Sequence, residues 1–294
     1  MDAPVSPPLP YTDAEPVHPL VRRVLARNPS PFTYTGTQTY VVGSGSEVAV
    51  IDPGPDEAEH LDAIIAAIGD ARLVAIACTH THRDHSPAAA PLSARTGAPV
   101  IGCAPLALDD DGPRADASFD NGYAPDRVLT DGDILTGDGW TLEAVATPGH
   151  TSNHLCYALP EAGALFTGDH VMGWSTSVVS PPDGDMTAYM ASLSRLYDRK
   201  QDRVYFPAHG PAVEKPHQLV RGMIGHRRSR EKQILRQLEA GHSRIADMVP
   251  QMYKGVDERL WPAAGRSVLA HLIDLERRGM VARDGDDWAL SSNL

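Results

Sequence analysis

The sequence predicts an α/β (α+β) fold: an αββα sandwich of two mixed sheets with outer helices, followed by a small C-terminal winged-helix-like domain. Strand-length runs of β-branched and apolar residues recur between residues 33 and 206, first as hairpins and later in alternation with helical patterns. Most of these runs end in a loop that carries His or Asp. Two sheets covered by helices on their outer faces satisfy this order, because each layer then buries its apolar side.

The composition limits the class of protein. The chain has 294 residues and a net charge of −12, with 42% hydrophobic and 22% charged residues. This length suits one large domain and a small one. The acidic balance disfavours a general binder of nucleic acid or of anionic membranes, although a local positive site is compatible with it.

Nothing in the sequence indicates a membrane or export segment. No apolar run reaches the roughly 18 residues that a membrane-spanning helix needs, and residues 1–10 lack the basic and apolar parts of a signal peptide. Cys78, Cys103 and Cys156 lie far apart in or beside apolar runs, so we expect buried free thiols. Together these features predict a cytoplasmic protein.

The first half of the chain is predicted to form a hairpin followed by alternating helices and strands. Residues 1–31 hold eight prolines and are expected to form an extended surface arm, with one short helical turn at 17–25. Residues 57–68 carry apolar side chains at helical spacing and stop at Gly69. The other predicted elements are strands at 33–42, 47–51, 73–78 and 99–102 and a helix at 88–96.

The large domain, predicted at residues 32–215, continues with further strands. An acidic loop covers 103–125, and 109–111 within it are expected to form a solvated turn. The elements predicted after this loop are strands at 127–129 and 140–146, a hairpin of 154–159 and 164–167, a helix at 186–197 and a strand at 203–206.

The chain beyond residue 215 is predicted to be a separate helical part. Residues 216–240 form a charged linking helix, and residues 241–294 form a winged-helix-like domain. The elements predicted in this domain are helices at 245–253 and 264–278 and a hairpin of 280–283 and 288–290. The second helix of such modules often reads DNA. Here that helix carries both basic and acidic residues, so a packing or dimerising role is favoured.

Residues 79–85, Thr-His-Thr-His-Arg-Asp-His, concentrate metal-binding side chains. His80, His82, Asp84 and His85 are imidazole and carboxylate groups, the ligands that zinc and related metals prefer. They directly follow an apolar strand, and α/β folds usually have their sites at such strand ends. A solvated histidine-rich loop is the alternative. A metal site is favoured, because burying four such groups without partners is costly and further candidates follow.

Three further candidates stand alone at strand ends, each beside a glycine that lets the backbone turn sharply. They are His150, Asp169 and His209. Seven ligands exceed the four that one zinc takes. They suit two metals that share a carboxylate and a water. We therefore predict two divalent metal ions per chain, and we expect zinc.

The order of these residues resembles the metallo-β-lactamase superfamily: a His-x-His-x-Asp-His run, a lone His, an Asp and a final His within residues 33–210. The resemblance implies that Asp169 bridges the two metals. It also implies that Asp52, in Ile-Asp-Pro-Gly, orients a ligand imidazole. The remaining ligands are implied to form two sets, His80, His82 and His150 for the first metal and Asp84, His85 and His209 for the second.

Other segments narrow the resemblance. Residues 36–43, Gly-Thr-Gln-Thr-Tyr-Val-Val-Gly, residues 226–235, His-Arg-Arg-Ser-Arg-Glu-Lys-Gln-Ile-Leu, and the terminal winged helix look like the lactamase-β-like protein 2 group. That group contains metal-dependent hydrolases, among them an endoribonuclease of single-stranded RNA and acyl-carrier thioesterases. The chain differs from zinc-dependent β-lactamases, which have Cys where Asp169 stands. It also lacks room before His209 for the inserted domain of RNA-processing relatives.

The resemblance implies hydrolysis by a metal-bound hydroxide, because two cations lower the pKa of a shared water. Asp84 or Asp169 would accept a proton, and no Ser or Cys nucleophile is required. We predict that the substrate is an ester, a thioester or a lactone-like bond in a small molecule. An endoribonuclease of single-stranded RNA is the alternative, which the net charge disfavours. A mononuclear-iron oxygenase is disfavoured by the complete second ligand set, and a non-enzymatic binding protein has the least support.

Four other polar residues are weaker candidates. His226 and Arg230 lie one helical turn apart, so they could bind an anionic group of the substrate or form a solvated face. His154 and His170 flank ligand positions without matching any, and hydrogen-bonded structure is the favoured interpretation for both. The sequence predicts neither the identity of the substrate nor the oligomeric state.

Overall fold

The structure, a computed structural model, describes residues 11–106 and 119–291. The turn predicted at 109–111 and the first part of the predicted arm lie outside the described residues. The strands are β1 (Glu15–His18), β2 (Val21–Leu25), β3 (Gln38–Val42), β4 (Glu47–Ile51), β5 (Arg72–Cys78), β6 (Val100–Gly102), β7 (Arg127–Val128), β8 (Ile134–Gly137), β9 (Trp140–Ala146), β10 (Leu155–Leu159), β11 (Ala164–Gly168), β12 (Val204–Pro207), β13 (Val281–Asp284) and β14 (Asp287–Leu290). The helices are α1 (Ala58–Ile68), α2 (Ala89–Thr96), α3 (Met186–Asp198), α4 (Pro216–Glu239), α5 (Ile245–Met252) and α6 (Trp261–Arg277).

A seven-stranded mixed sheet forms the N-terminal half of the sandwich. Its strands lie side by side in chain order from β1 to β7. Pairs from β1 to β4 are antiparallel, and pairs from β4 to β7 are parallel. Parallel neighbours need a crossover connection, and α1 and α2 supply the first two. The carboxyl ends of β4 and β5 therefore meet at one edge of the sheet.

A five-stranded mixed sheet forms the second half, in the order β12-β11-β10-β9-β8. Only the pair of β11 and β12 in this sheet is parallel, and α3 is the crossover between them. The antiparallel partners are joined by tight turns. The carboxyl ends of β9, β11 and β12 point to the same edge, so the loops after these strands approach one another.

The alternation along β10 shows how the layers pack. Leu155, Tyr157 and Leu159 lie in the core that also contains the first sheet. Cys156 and Ala158 lie in the core beneath α3. Successive strand residues face opposite sides of a sheet, so β10 has one face on each core. The predicted αββα sandwich of two mixed sheets with outer helices is confirmed.

The C-terminal winged helix is also confirmed, and it has a core of its own. Val268, Leu272 and Leu275 of α6 pack with Trp288 of β14 and Ile234 of α4. The helix α6 also touches the large domain, because it contributes a buried alanine to the core beneath α3. The domain is thus packed against its neighbour as well as linked to it by α4.

The predictions for the N-terminal strands need correction. The predicted helical turn at 17–25 is wrong, because β1 and β2 occupy this stretch and extend the first sheet. Within the predicted strand 33–42 only β3 is a strand, and the preceding residues form a loop. The strand β8 was not predicted. The strand β2 forms because it pairs with β3, with Val21 opposite Val42.

The expectation for the cysteines is confirmed, since all three are free and buried. Within the two described ranges, no helix combines the length and apolar character needed to cross a bilayer.

Candidate metal centre

All seven predicted ligands converge at one edge of the sandwich. The loop 79–85 begins directly after β5, and the three isolated ligands follow β9, β11 and β12. Topology explains the convergence, because the carboxyl ends of these strands meet at that edge. Two groups of side chains result, and each group could hold a metal ion: His80, His82, His150 and Asp169 in one, and Asp84, His85 and His209 in the other.

The first group consists of three buried imidazoles and one carboxylate. His80 Nε2 lies 2.9 Å from His82 Nδ1, and His150 Nε2 lies 3.1 Å from the same atom. The carboxylate oxygen Oδ2 of Asp169 is 3.6 Å from His150 Nε2. Three ring nitrogens at this spacing repel one another unless a proton or a cation lies among them.

The second group combines one carboxylate with two imidazoles. Asp84 Oδ2 lies 3.3 Å from His85 Nε2 and 3.2 Å from His209 Nε2. Both rings are buried, whereas the Asp84 side chain keeps some exposure to the cleft above. This group therefore faces solvent through Asp84.

Asp169 lies between the two groups. Its Oδ2 faces His150 of the first group, as given above. Its Oδ1 lies 3.2 Å from His209 Nε2 and 3.6 Å from His85 Nε2 of the second group. A carboxylate with one oxygen toward each group has the geometry that a bridging ligand requires.

Asp52 contacts the second group from behind. Its Oδ2 lies 2.9 Å from His85 Nδ1 and accepts a hydrogen bond from Thr79 Oγ1, while its Oδ1 accepts one from Thr79 N. The backbone of Asp52 is left-handed, with φ of 47°, which is uncommon for a residue other than glycine. With its Nδ1 paired to Asp52, His85 has Nε2 free to face the group.

The other inward-facing imidazoles are oriented in a similar way by partners outside the groups. These contacts join His80 Nδ1 to Thr79 Oγ1 at 2.9 Å, His150 Nδ1 to Val178 O at 2.6 Å and His209 Nδ1 to Gly36 O at 3.3 Å. A ring that donates its outer N–H to a carbonyl keeps the lone pair of its other nitrogen for a metal.

Two buried atoms support the fit of these residues to metal ions. His85 Nε2 and Asp169 Oδ1 have no hydrogen-bond partner, although both are shielded from solvent. Buried polar atoms without partners are rare and costly. Both atoms point to the space between the ligands, where a cation would complete them. The donor set of imidazoles and carboxylates without thiolate suits zinc or a similar divalent metal.

The protonation of the two groups differs. Burial lowers the pKa of His82 to about 3 and holds the pKa of His80 well below its ordinary value, so both imidazoles are neutral, the form that binds a metal. Burial also opposes charge on His209, but Asp169 and Asp84 outweigh it and raise the pKa of His209 to about 10. A metal that binds the second group must displace that proton.

A cleft of about 520 Å³ opens above the ligands. Phe32 and Trp174, 40% and 38% exposed, are the exposed large aromatics of the described chain, and both line this cleft. Trp174 stacks on Tyr34 with ring centroids 5.1 Å apart, which holds it at the wall. Among the described residues of the lining, Arg83 is the one arginine or lysine. The cleft thus combines a polar floor with an apolar wall.

The weaker candidates do not line this cleft. Arg230 Nη1 instead donates to Gln233 Oε1 and to Met252 O, and its guanidinium lies over the Tyr253 ring. On the same helix, burial lowers the pKa of His226. The structure thus separates both residues from the floor of the cleft, and a role in binding substrate stays a prediction without a contact to support it.

His154 and His170 differ from each other. His154 Nδ1 pairs with Thr147 Oγ1 at 2.8 Å, and His154 Nε2 accepts a hydrogen bond from Asp169 N at 3.2 Å. This imidazole therefore supports the backbone of Asp169. His170 is fully buried, and neither of its ring nitrogens has a hydrogen-bond partner.

The sequence did not reveal the loop before β3 as part of the site. Thr37 Oγ1 donates to Asp84 Oδ2 at 3.2 Å, and the adjacent Gly36 supplies the carbonyl that faces His209. Gly36 has φ of 136°, and a Cβ there would lie 2.1 Å from Ala26 O. Only glycine fits this position. An isolated glycine in a β-rich run was the one available signal.

The comparison with known sequences agrees with this geometry. Residues 33–209 match the family described as the Metallo-beta-lactamase superfamily. The chain belongs to the metallo-β-lactamase superfamily. Residues 245–288 match the family described as the Beta-lactamase associated winged helix domain. All seven ligand candidates lie within the first match.

Individual relatives extend over most of the chain. A Beta-lactamase-like protein 2 homolog from Drosophila melanogaster is 34% identical and covers 91% of this chain and 92% of its own length. An atrochrysone carboxyl ACP thioesterase from a Cryptosporiopsis species is 33% identical and covers 84% and 71%. A beta-lactamase domain protein from Burkholderia ambifaria has the same fold, with a TM-score of 0.77, 20% identity and coverage of 98% and 96%.

Proposed function

We propose that this chain is a dinuclear zinc hydrolase of ester, thioester or lactone-like bonds in small molecules, with a thioester as the preferred substrate. The observation that carries the proposal is Asp169, whose two oxygens face two separate ligand groups beneath an apolar cleft. A carboxylate shared in this way can bind two cations that lie side by side.

The first metal would be held by His80, His82 and His150, and the second by Asp84, His85 and His209. Asp169 would contact both. Two divalent ions bound there supply an activated water and polarise the oxygen of the scissile bond.

The protein's own carboxylates supply the proton transfer. Asp84 and Asp169 both line the cleft. Burial disfavours their charge, but neighbouring imidazoles outweigh it and hold both pKa values well below the ordinary value. Each is therefore an ionised base at neutral pH and can take the proton that the attacking water releases. No serine or cysteine lies among the ligands, so a covalent acyl intermediate on the protein is not required.

The cleft lining favours an acyl substrate over RNA. A polyanion needs several Lys or Arg side chains for its phosphates, whereas Arg83 is the one such side chain among the described residues of the lining. Phe32 and Trp174 give an apolar wall suited to an acyl group. The relative named as an ACP thioesterase supports the choice of a thioester.

A substrate panel with metal analysis tests the proposal. Purified protein is analysed for metals and then assayed on aryl and alkyl thioesters, lactones and short single-stranded RNA. We expect two zinc ions per chain and fastest turnover of a thioester, lost in His82→Ala. The proposal fails if RNA is cut faster than every acyl substrate, or if one iron is bound and a second ion cannot be added.

A further inference from the structure

Arg227 is a buried cation outside the metal centre. Its side chain lies on the inner face of α4 and is 4% exposed. Within the described part of the chain it forms no ion pair, and its Nε has no hydrogen-bond partner. Instead its Nη2 donates a short hydrogen bond to Ser177 O, and its guanidinium lies 5.2 Å from the centre of the Tyr189 ring. A buried charge without a counterion is costly.

The segment that Arg227 holds forms the wall of the cleft. Ser177 Oγ donates to His170 O at 2.8 Å, and Tyr189 OH donates to the same carbonyl at 3.0 Å. Trp174, Ser175 and Thr176, just before Ser177, line the cleft. Arg227, Ser177 and Tyr189 are thus linked by these contacts, which hold residues 174–177 of the cleft wall against α3.

The next residue of the segment contacts a metal-ligand candidate. Val178 O lies 2.6 Å from His150 Nδ1. The Ser177 carbonyl and the Val178 nitrogen belong to one planar peptide unit, so a donor that fixes the carbonyl also fixes the start of Val178. Arg227 is therefore connected to His150 through the peptide unit between Ser177 and Val178 and through the carbonyl of Val178.

We propose that Arg227 is a positioning residue, which clamps the Ser177 carbonyl so that Val178 O keeps His150 oriented and residues 174–178 keep the shape of the cleft wall. The inference rests on the proposed metal centre. It also gives a role to the segment 226–235. One turn after Arg227, Arg230 reaches Met252 O and the Tyr253 ring beside α5. The same helix therefore contacts the cleft wall and the winged helix.

The test compares Arg227→Met with Arg228→Met. Both changes remove one guanidinium from the same helix, but Arg228 is exposed and does not line the cleft. Methionine fills much of the volume of arginine, and an apolar replacement of a buried charge often leaves stability unchanged. We expect Arg227→Met to keep its unfolding temperature within a few degrees.

The decisive readouts do not involve substrate. We expect Arg227→Met to bind the zinc of the group that contains His150 about 10- to 100-fold less tightly in competition with a chelator, the loss typical when the support of a metal ligand is removed. We also expect faster amide hydrogen exchange at residues 174–178, with no change at either readout in Arg228→Met. A folded Arg227→Met protein with unchanged zinc affinity and exchange would overturn the proposal.

Arg227→Lys tests the same proposal with the same two readouts if Arg227→Met does not fold. Lysine keeps the charge but is a point donor without the planar fork of arginine, so we expect an intermediate loss of zinc affinity. Lysine variants with zinc affinity and exchange equal to those of the unmodified protein would overturn the inference. Because neither readout needs turnover, absence of acyl hydrolysis in the unmodified protein would refute the proposed function and leave this test intact.

Discussion

Asp169 lies between the two ligand groups, with one carboxylate oxygen toward each. The sequence identifies it, because a lone acidic residue between glycine and histidine at a strand end is visible without coordinates. The group that holds it is less visible, because His154, which accepts a hydrogen bond from the Asp169 backbone N–H, lies 15 positions earlier in the chain. Partners such as Val178 O and Gly36 O cannot be predicted at all, because every residue has a carbonyl and only folding selects one.

Asp169→Asn tests the shared carboxylate. The amide keeps the volume of the carboxylate but loses its charge and offers one oxygen, so it cannot serve two cations. We expect the metal content to fall from two ions per chain to one weakly held ion or none, measured by elemental analysis after dialysis. Asp198→Asn, at an exposed position on α3, is the matched control and should keep both metals. Two tight metals in Asp169→Asn would show that Asp169 does not bridge.

Elements with a local signal were predicted well, and elements that depend on a distant partner were not. The helix α1 has apolar residues at helical spacing, and six of its residues are buried, as its pattern indicates. By contrast, β2 holds two adjacent arginines and lacks alternation, so its identity as a strand comes from pairing with β3. The strand β8 has the same dependence, because exposed Ile134 gives no inward-facing pattern and pairing with β9 defines it.

His60 makes the docking of α1 sensitive to acid. It is buried, its Nε2 lies 2.9 Å from Thr39 Oγ1, and burial lowers its pKa from 6.5 to about 4. Above pH 6.5 the folded and unfolded states are both neutral at this position. Between pH 6.5 and 4 the unfolded state takes up a proton that the folded state resists, so the free energy of unfolding falls by up to about 3 kcal/mol.

His60→Gln should remove this part of the acid sensitivity, because glutamine does not titrate and can still bond to Thr39. The measurement is denaturant unfolding at several pH values from about 7.5 to 4.5. The contributions of the other histidines to the free energy of unfolding cancel in the difference between the variant and the unmodified protein. A His60→Gln protein with the full acid loss would refute the assignment to α1.

At the scale of the whole molecule, the winged helix is fastened to the hydrolase domain by more than the linking helix. Thr187 Oγ1 of α3 donates to Asp274 Oδ1 of α6 at 2.6 Å, and Arg266 Nε donates to Ser180 Oγ at 3.1 Å. Arg277 forms an ion pair with the acidic residue that caps α3. The boundary at residue 241 stays a prediction, because Ile234 of α4 packs into the winged-helix core from before that position.

Deletion of residues 241–294 tests that boundary. All seven ligand candidates precede it, so we expect the truncated protein to keep two metals. Loss of about three hydrogen-bonded contacts at about 1 kcal/mol each should lower the unfolding temperature by roughly 6–12 °C for a domain of this size. Elemental analysis and thermal unfolding give both values. A soluble, folded and metal-free product would show that the winged helix is part of the metal centre.

The charge of the whole molecule separates an acyl substrate from RNA. Binding of a polyanion rests on neutralised phosphates, so its affinity falls steeply as salt rises, and a surface with a net charge of −12 opposes a long polyanion outside the cleft. A small acyl substrate makes few such contacts. We therefore expect turnover of a thioester to change less than about threefold between roughly 50 and 200 mM salt, given screening lengths near 10 Å. His82→Ala should lose this turnover while keeping its fold, because the change removes one ligand and leaves the sheets intact. Single-stranded RNA cut faster than the thioester, with a steep salt dependence and the same loss in His82→Ala, would instead establish the nuclease and refute the acyl hydrolase.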